Sequence, residues 1–163
     1  MNSKRKSAWS WVAVVAVLLM VGGAALYVLW PQLQPHVNLH VGDGVFITRV
    51  AKTPEDRERG LSGTSELRAD QGLLIVFETD EKWSIWMKEM KYPIDIVWLD
   101  KNKKVVYIVK NAPPESYPYE RFTPKQEARY VLELPAGTTA KKSINIGSEA
   151  RFDENNLEGW WGT

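Results

Sequence analysis

The sequence predicts a mainly β protein: a compact antiparallel sandwich or barrel-like domain with one short helix, preceded by a single N-terminal transmembrane helix. Three observations lead there. Residues 8–30 run without one charged side chain. Across 37–152, short β-branched or alternating segments recur between turns built from Gly, Pro, Asn and Asp. Only Thr53 to Gly60 carries the punctuation of a helix. Many short strands with one helix belong to all-β layer architectures.

The apolar run sets the expected address. At about 1.5 Å per residue a helix over Ala8 to Trp30 reaches about 35 Å, against roughly 30 Å of hydrocarbon core. Lys4, Arg5 and Lys6 precede it, and the next cation is Arg49. The positive-inside bias then keeps residues 1–7 in the cytoplasm and sends residues 31–163 outside. Trp9, Trp11, Tyr27 and Trp30 flank the run, as interfacial aromatics do. The expectation is a signal anchor in the cytoplasmic membrane, single-pass, with the N-terminus inside and an extracytoplasmic C-terminal domain. The competing reading is a cleaved signal peptide, with Val12 to Val21 as its core and Gly22 to Ala25 as its cleavage region.

The remainder is sized for one domain. Three of the 21 basic residues and none of the 20 acidic ones precede Pro31, so residues 31–163 carry a formal charge of −2. That balance argues against nucleic acid as a partner. There is no Cys, which excludes disulfides, Fe–S clusters and thiol nucleophiles. His36 and His40 flank the first strand, where they read as solvated, so no zinc site or His-based triad assembles. The expectation is no cofactor and no metal.

Residues 31–36 form a short, stiff linker set by Pro31 and Pro35. The domain proper spans 37–153. Val37, Leu39 and Val41 alternate with polar residues, and Gly42-Asp43-Gly44 turns the chain into the β-branched run from Val45 to Val50. Thr53 as N-cap, Pro54 at the first helical position and acids in the first turn start the helix, and Gly60 ends it. Further strand candidates are Leu73 to Phe77, Trp83 to Met87, Ile94 to Leu99, Val105 to Val109, Ala128 to Leu134 and Ala150 to Phe152. The proline-rich stretch from Asn111 to Gln126 reads either as a cover over a sheet edge or as a functional loop. Residues 154–163 form a tail ending near Trp160 and Trp161.

Four blocks stand out in order and spacing. They are Arg57-x-x-Gly60-Leu61, Gly72 to Phe77, Trp86-Met87-Lys88 followed by Pro93-Ile94-Asp95-Ile96-Val97, and Tyr130 to Gly137. Together they resemble the prokaryotic domain of unknown function 192 family, over roughly Val45 to Phe152. The resemblance implies a compact β-rich, sandwich-like domain and no established activity. Ser62 stands where the family usually has Met, and Glu89 where it usually has Asn.

Asp95 interrupts the apolar run from Ile94 to Leu99, on the face of Val97 and Leu99. A carboxylate there is either a buried structural group, paired with Lys88, Arg57 or Arg59 or capping backbone N–H groups, or the polar anchor of a pocket. Trp86 beside Lys88 suits a small polar ligand or a sugar ring, with Met87 as core. The ligand-binding candidates are Trp86, Lys88, Asp95 and Arg59. A Cu(I) role for Met87 and Met90 lacks Cys or His support. The function expected is a non-catalytic binding module for a small polar ligand, envelope glycan or protein partner. The alternatives are a carboxylate-dependent envelope hydrolase and a structural accessory of a membrane complex.

Overall fold

The computed structural model describes residues 11–23 and 36–157. The chain divides into two units, 1–34 and 35–163. In the first, helix α1 covers 11–23. Among the described residues no helix is long and apolar enough to cross a membrane. That finding overturns the expected transmembrane helix over 8–30, the signal anchor and the single-pass topology. Residues 8–10 and 24–30 of that expectation, and Trp160 and Trp161, lie outside the described residues.

The second unit is mainly β. Its strands are β1 (His36–Val41), β2 (Gly44–Ala51), β3 (Gln71–Glu81), β4 (Ile94–Leu99), β5 (Val105–Ala112) and β6 (Ala128–Pro135). They form one six-stranded sheet in the order β1-β2-β3-β6-β4-β5. This replaces the expected antiparallel sandwich or barrel. β2 and β3 pair in parallel; the other pairs are antiparallel. The parallel pair follows from the helix. A parallel neighbour needs a long crossover, and residues 52–70 supply it with α2 (Pro54–Arg59) inside.

A second sheet is unnecessary because loops and short helices cover both faces of the first. β4 is buried along its whole length, and β6 nearly so. Such strands read as continuous apolar runs. One face gathers Leu39, Phe46, Leu74, Val97 and Leu132 with Ile144, Phe152 and Leu157 from the C-terminal segment. The other gathers Leu73, Ile75, Ile94, Ile96 and Trp98 under Leu61, Ile85, Met87 and Tyr92.

Local chemistry explains the elements. Gly42, at φ 54, turns the first hairpin, and a Cβ there would collide with the Lys142 carbonyl. The Thr53 hydroxyl accepts the Asp56 N–H at 3.1 Å, and Gly60 at φ 51 stops α2. Trp83 to Met87 is not a strand. It lies over the sheet as a cover: the Trp98 indole N–H donates to the Trp83 carbonyl at 2.8 Å, and Ile85 exchanges two 2.9 Å backbone bonds with Phe122. Ala150 to Phe152 is likewise not a strand: Arg151 makes an isolated bridge with His40, and the preceding Glu149 makes another with Lys104. After β6, the chain turns through Gly137 into α3 (Thr138–Lys141), which the sequence patterns do not announce.

Asp95 is fully buried and accepts four hydrogen bonds. Oδ1 takes the N–H groups of Asn111 (2.9 Å) and Gly137 (3.1 Å). Oδ2 takes the N–H (2.8 Å) and hydroxyl (2.7 Å) of Thr139. The carboxylate thus ties β4 to the end of β5 and to the turn after β6. Asp95→Asn presents an amide N–H₂ to donors, so we expect a loss of about 3 kcal/mol in urea unfolding. Lys88→Met should cost less than about 1 kcal/mol. A loss below about 1 kcal/mol for Asp95→Asn would overturn this role.

Candidate functional site

A cleft of about 200 Å³ opens on the face that carries Ile75 and Ile94. Its walls come from three places distant in sequence: the end of α2 with the turn after it, the segment from Ser84 to Met90, and Arg121. Its lining includes one residue of β6, Glu133.

Backbone-directed bonds hold these walls together. The Ser62 hydroxyl donates to the Lys88 carbonyl at 2.7 Å, and the Gly63 N–H donates to the Glu89 carbonyl at 3.0 Å. Glu89 has φ 56, a conformation in which Asn is much commoner than Glu. From β2, Arg49 Nη2 donates to the Gly60 carbonyl at 2.5 Å. The Ile85–Phe122 bridge brings the neighbouring Trp86 and Arg121 together, with the guanidinium carbon 4.5 Å from the indole centroid. Lys88 Nζ lies 5.5 Å from the same ring. Both are cation–π distances. Tyr117 meets Trp86 edge-on at 6.4 Å.

The lining is unevenly charged. Arg57, Arg59, Lys88 and Arg121 stand against Glu58 and Glu133. Arg57 is committed to the frame: its Nη1 donates to the carbonyls of Lys52 (2.6 Å) and Val76 (3.1 Å). The side chains of Arg59, Lys88 and Arg121 have no hydrogen bond or ion pair to another described residue.

Glu133 is the unusual group. It sits opposite Leu73 on β3 and Ile96 on β4, is 4% exposed, and its Oε2 has no hydrogen-bond partner. Burial pushes its carboxyl up to about 7, a rise that the positive charge of Arg49 partly offsets. Burial in turn lowers the Arg49 guanidinium, opposed by Glu133 and Asp56. A carboxyl poised near neutrality on the floor of a cleft can accept, donate or exchange a proton.

Of the sequence candidates, the cleft brings together Trp86, Lys88 and Arg59. Asp95 is not among its lining residues and points to the opposite face, where β4 also places Val97 and Leu99. Sequence reasoning missed Glu133 and Arg121. Glu133 carries the same signal as Asp95, an acid inside the apolar run from Val131 to Leu134. Arg121 has no local signal, since only the Ile85–Phe122 bridge brings it to the site.

Residues 37–152 match the family model DUF192, described as an uncharacterized ACR. A UPF0127 protein of Thermococcus sibiricus is 30% identical over 105 residues, covering 64% of this chain and 65% of that protein. The UPF0127 protein TK1120 of Thermococcus kodakarensis is 30% identical over 99 residues, covering 61% and 60%. The match thus spans somewhat under two thirds of the length of these relatives. Among solved structures, a proposed transcription regulator from Sinorhizobium meliloti superposes with a TM-score of 0.69 at 23% identity, covering 73% of this chain and 95% of that one. A protein of unknown function from Novosphingobium aromaticivorans gives 0.67 at 24% identity, covering 71% and 84%. At that identity the likeness shows the fold alone.

The state of Glu133 is measurable as stability. With its carboxyl raised from 4.5 to about 7, the folded protein holds a proton that the unfolded chain has lost between those values. Stability from this group is therefore intact at low pH, falls through that window, and is fully lost above about 7. The span corresponds to about 3 kcal/mol at most. Urea melts of wild type and Glu133→Gln should diverge in favour of the variant by up to about 3 kcal/mol between pH 4.5 and pH 8. A difference independent of pH would show that the carboxyl is ionised throughout.

Proposed function

This chain belongs to the DUF192 family, whose function is unknown, and from that premise we propose that its cleft binds a small polar ligand without transforming it. One observation carries the reading. Arg59, Lys88 and Arg121 converge on one concavity, and none is neutralised by a described side chain. Like charges brought together cost free energy, and an anionic or strongly polar occupant offsets that cost. The walls belong to turns pinned by backbone bonds, so the arrangement is preformed, as small-molecule sites usually are. The volume of about 200 Å³ is below the roughly 300–1,000 Å³ of sites for drug-sized ligands. It suits a small molecule rather than a polymer or a protein surface.

An acid–base enzyme is the second reading, favoured by the Glu133 carboxyl held at about 7. The two differ in outcome: a binding module returns its ligand unchanged, and an enzyme does not.

Thermal shift and calorimetric titration with acetate, gluconate, inorganic phosphate and glycerol test the binding reading. At least one anion should raise the melting temperature. Arg121→Ala and Lys88→Met should each weaken that anion roughly tenfold or more, the loss of one charge-assisted contact worth about 1.5–3 kcal/mol. No response to any anion, or equal affinity in both variants, would sink the proposal. Loss of the bound compound over time, followed by NMR, would replace it with the enzyme reading.

A further inference from the structure

Resting on the reading of the cleft as a ligand site, we infer that its ligand is a small organic acid, bound as a carboxylate that shares a proton with Glu133 Oε2 while Arg59, Lys88 and Arg121 meet its charge.

Buried carboxylate oxygens are almost always hydrogen-bonded, and Asp95 in the neighbouring strand accepts four such bonds. Glu133 Oε2 is equally shielded, has no partner, and belongs to a residue that lines the cleft. The missing partner must therefore come from the cleft side. Directly opposite it β3 and β4 place Leu73 and Ile96, and the rest of their contribution to this face, Ile75, Phe77, Ile94 and Trp98, is apolar too.

The surrounding charges choose the partner's chemistry. From β2 comes Arg49, and from α2 come Asp56, Arg57, Glu58 and Arg59. The 84–92 segment brings Lys88 and Tyr92, whose hydroxyl is itself raised by burial and bonded to Thr64 at 2.8 Å. Arg121 closes the opposite wall. The cations among these groups outnumber the anions, which selects an anionic ligand. An anion arriving beside an ionised Glu133 would meet a like charge in a desolvated place. The conflict vanishes when Glu133 is protonated: the carboxyl O–H then donates to a ligand oxygen, and one proton is taken up for each anion bound. A carboxylate suits this better than phosphate, because a phosphate dianion places more charge against the floor.

Calorimetric titration of the full chain with acetate and gluconate, in two buffers of different ionisation enthalpy, measures the proton directly. At pH 8 we expect uptake approaching one proton per carboxylate bound, and affinity should fall about tenfold per pH unit above about 7. Glu133→Gln carries an N–H donor in place of the carboxyl O–H. It should bind with little pH dependence and more tightly than wild type at pH 8. The wild-type proton count needs no variant, so a folding defect in Glu133→Gln leaves the test intact. Carboxylate binding with no proton uptake, or phosphate bound in preference to both carboxylates, overturns this inference and leaves the binding site standing. Binding of glycerol alone would overturn the anionic class. Silence from every probe overturns the site itself.

Discussion

Strand β6 is paired on both edges and covered on both faces, and the rest of the domain is arranged around that constraint. It is the last strand in the chain, yet it lies between β3 and β4 near the middle of the sheet. A strand so placed has no wet side on which to put a charge. From Tyr130 to Leu134 its side chains alternate between the two apolar clusters: Val131 faces one, Tyr130, Leu132 and Leu134 the other. Glu133 falls on the first of these faces. Besides the charge of Arg49, its carboxyl has the cleft on this face, so the cleft and the uneasy acid are two aspects of one packing arrangement.

Asp95 and Glu133 make an instructive pair. Both are acids set in apolar runs of central strands, and both are buried. Asp95 is saturated by four donors from two pieces of chain and acts as a rivet. Glu133 lacks a partner at Oε2 and has only the more distant charge of Arg49 to steady it. Burial alone does not separate a structural acid from a functional one; the count of donors around each oxygen does.

That count is not written in local sequence, and the distinction marks how far the chain could be read directly. The first hairpin, the Thr53–Gly60 helix and strand β4 are encoded within a few residues by turn chemistry, capping and unbroken apolar character. The sequence grouped Trp86, Lys88 and Arg59 around Asp95, whereas the cleft lining holds those three without Asp95, and backbone bonds from Ser62 and Gly63 join the turn after α2 to Lys88 and Glu89. What escaped was set by contacts distant in sequence. The parallel β2–β3 pair depends on where the crossover lands. Trp83 to Met87 has strand-like residues but spends its backbone bonds on Phe122 and Trp98. Arg121 reaches the site through that same link. The apolar run at the N-terminus misled for a simpler reason. Composition measures the potential to form a long apolar helix, and among the described residues no helix is long and apolar enough to cross a membrane.

The short bridges near the C-terminus bear on how the molecule is made. Glu149 bridges to Lys104, just before β5, and Arg151 bridges to His40 of β1, and these two strands form opposite edges of the sheet. Each edge would otherwise expose a row of free backbone groups, the usual template for unwanted strand pairing. Contacts so far apart in sequence form late, after the cost of closing a long loop has been met. During synthesis β1 therefore emerges first and waits, with part of its outer edge bare, for nearly the entire domain to follow. How long that edge stays open to unwanted pairing is set by the arrival of residues 149–151, not by the strength of the core.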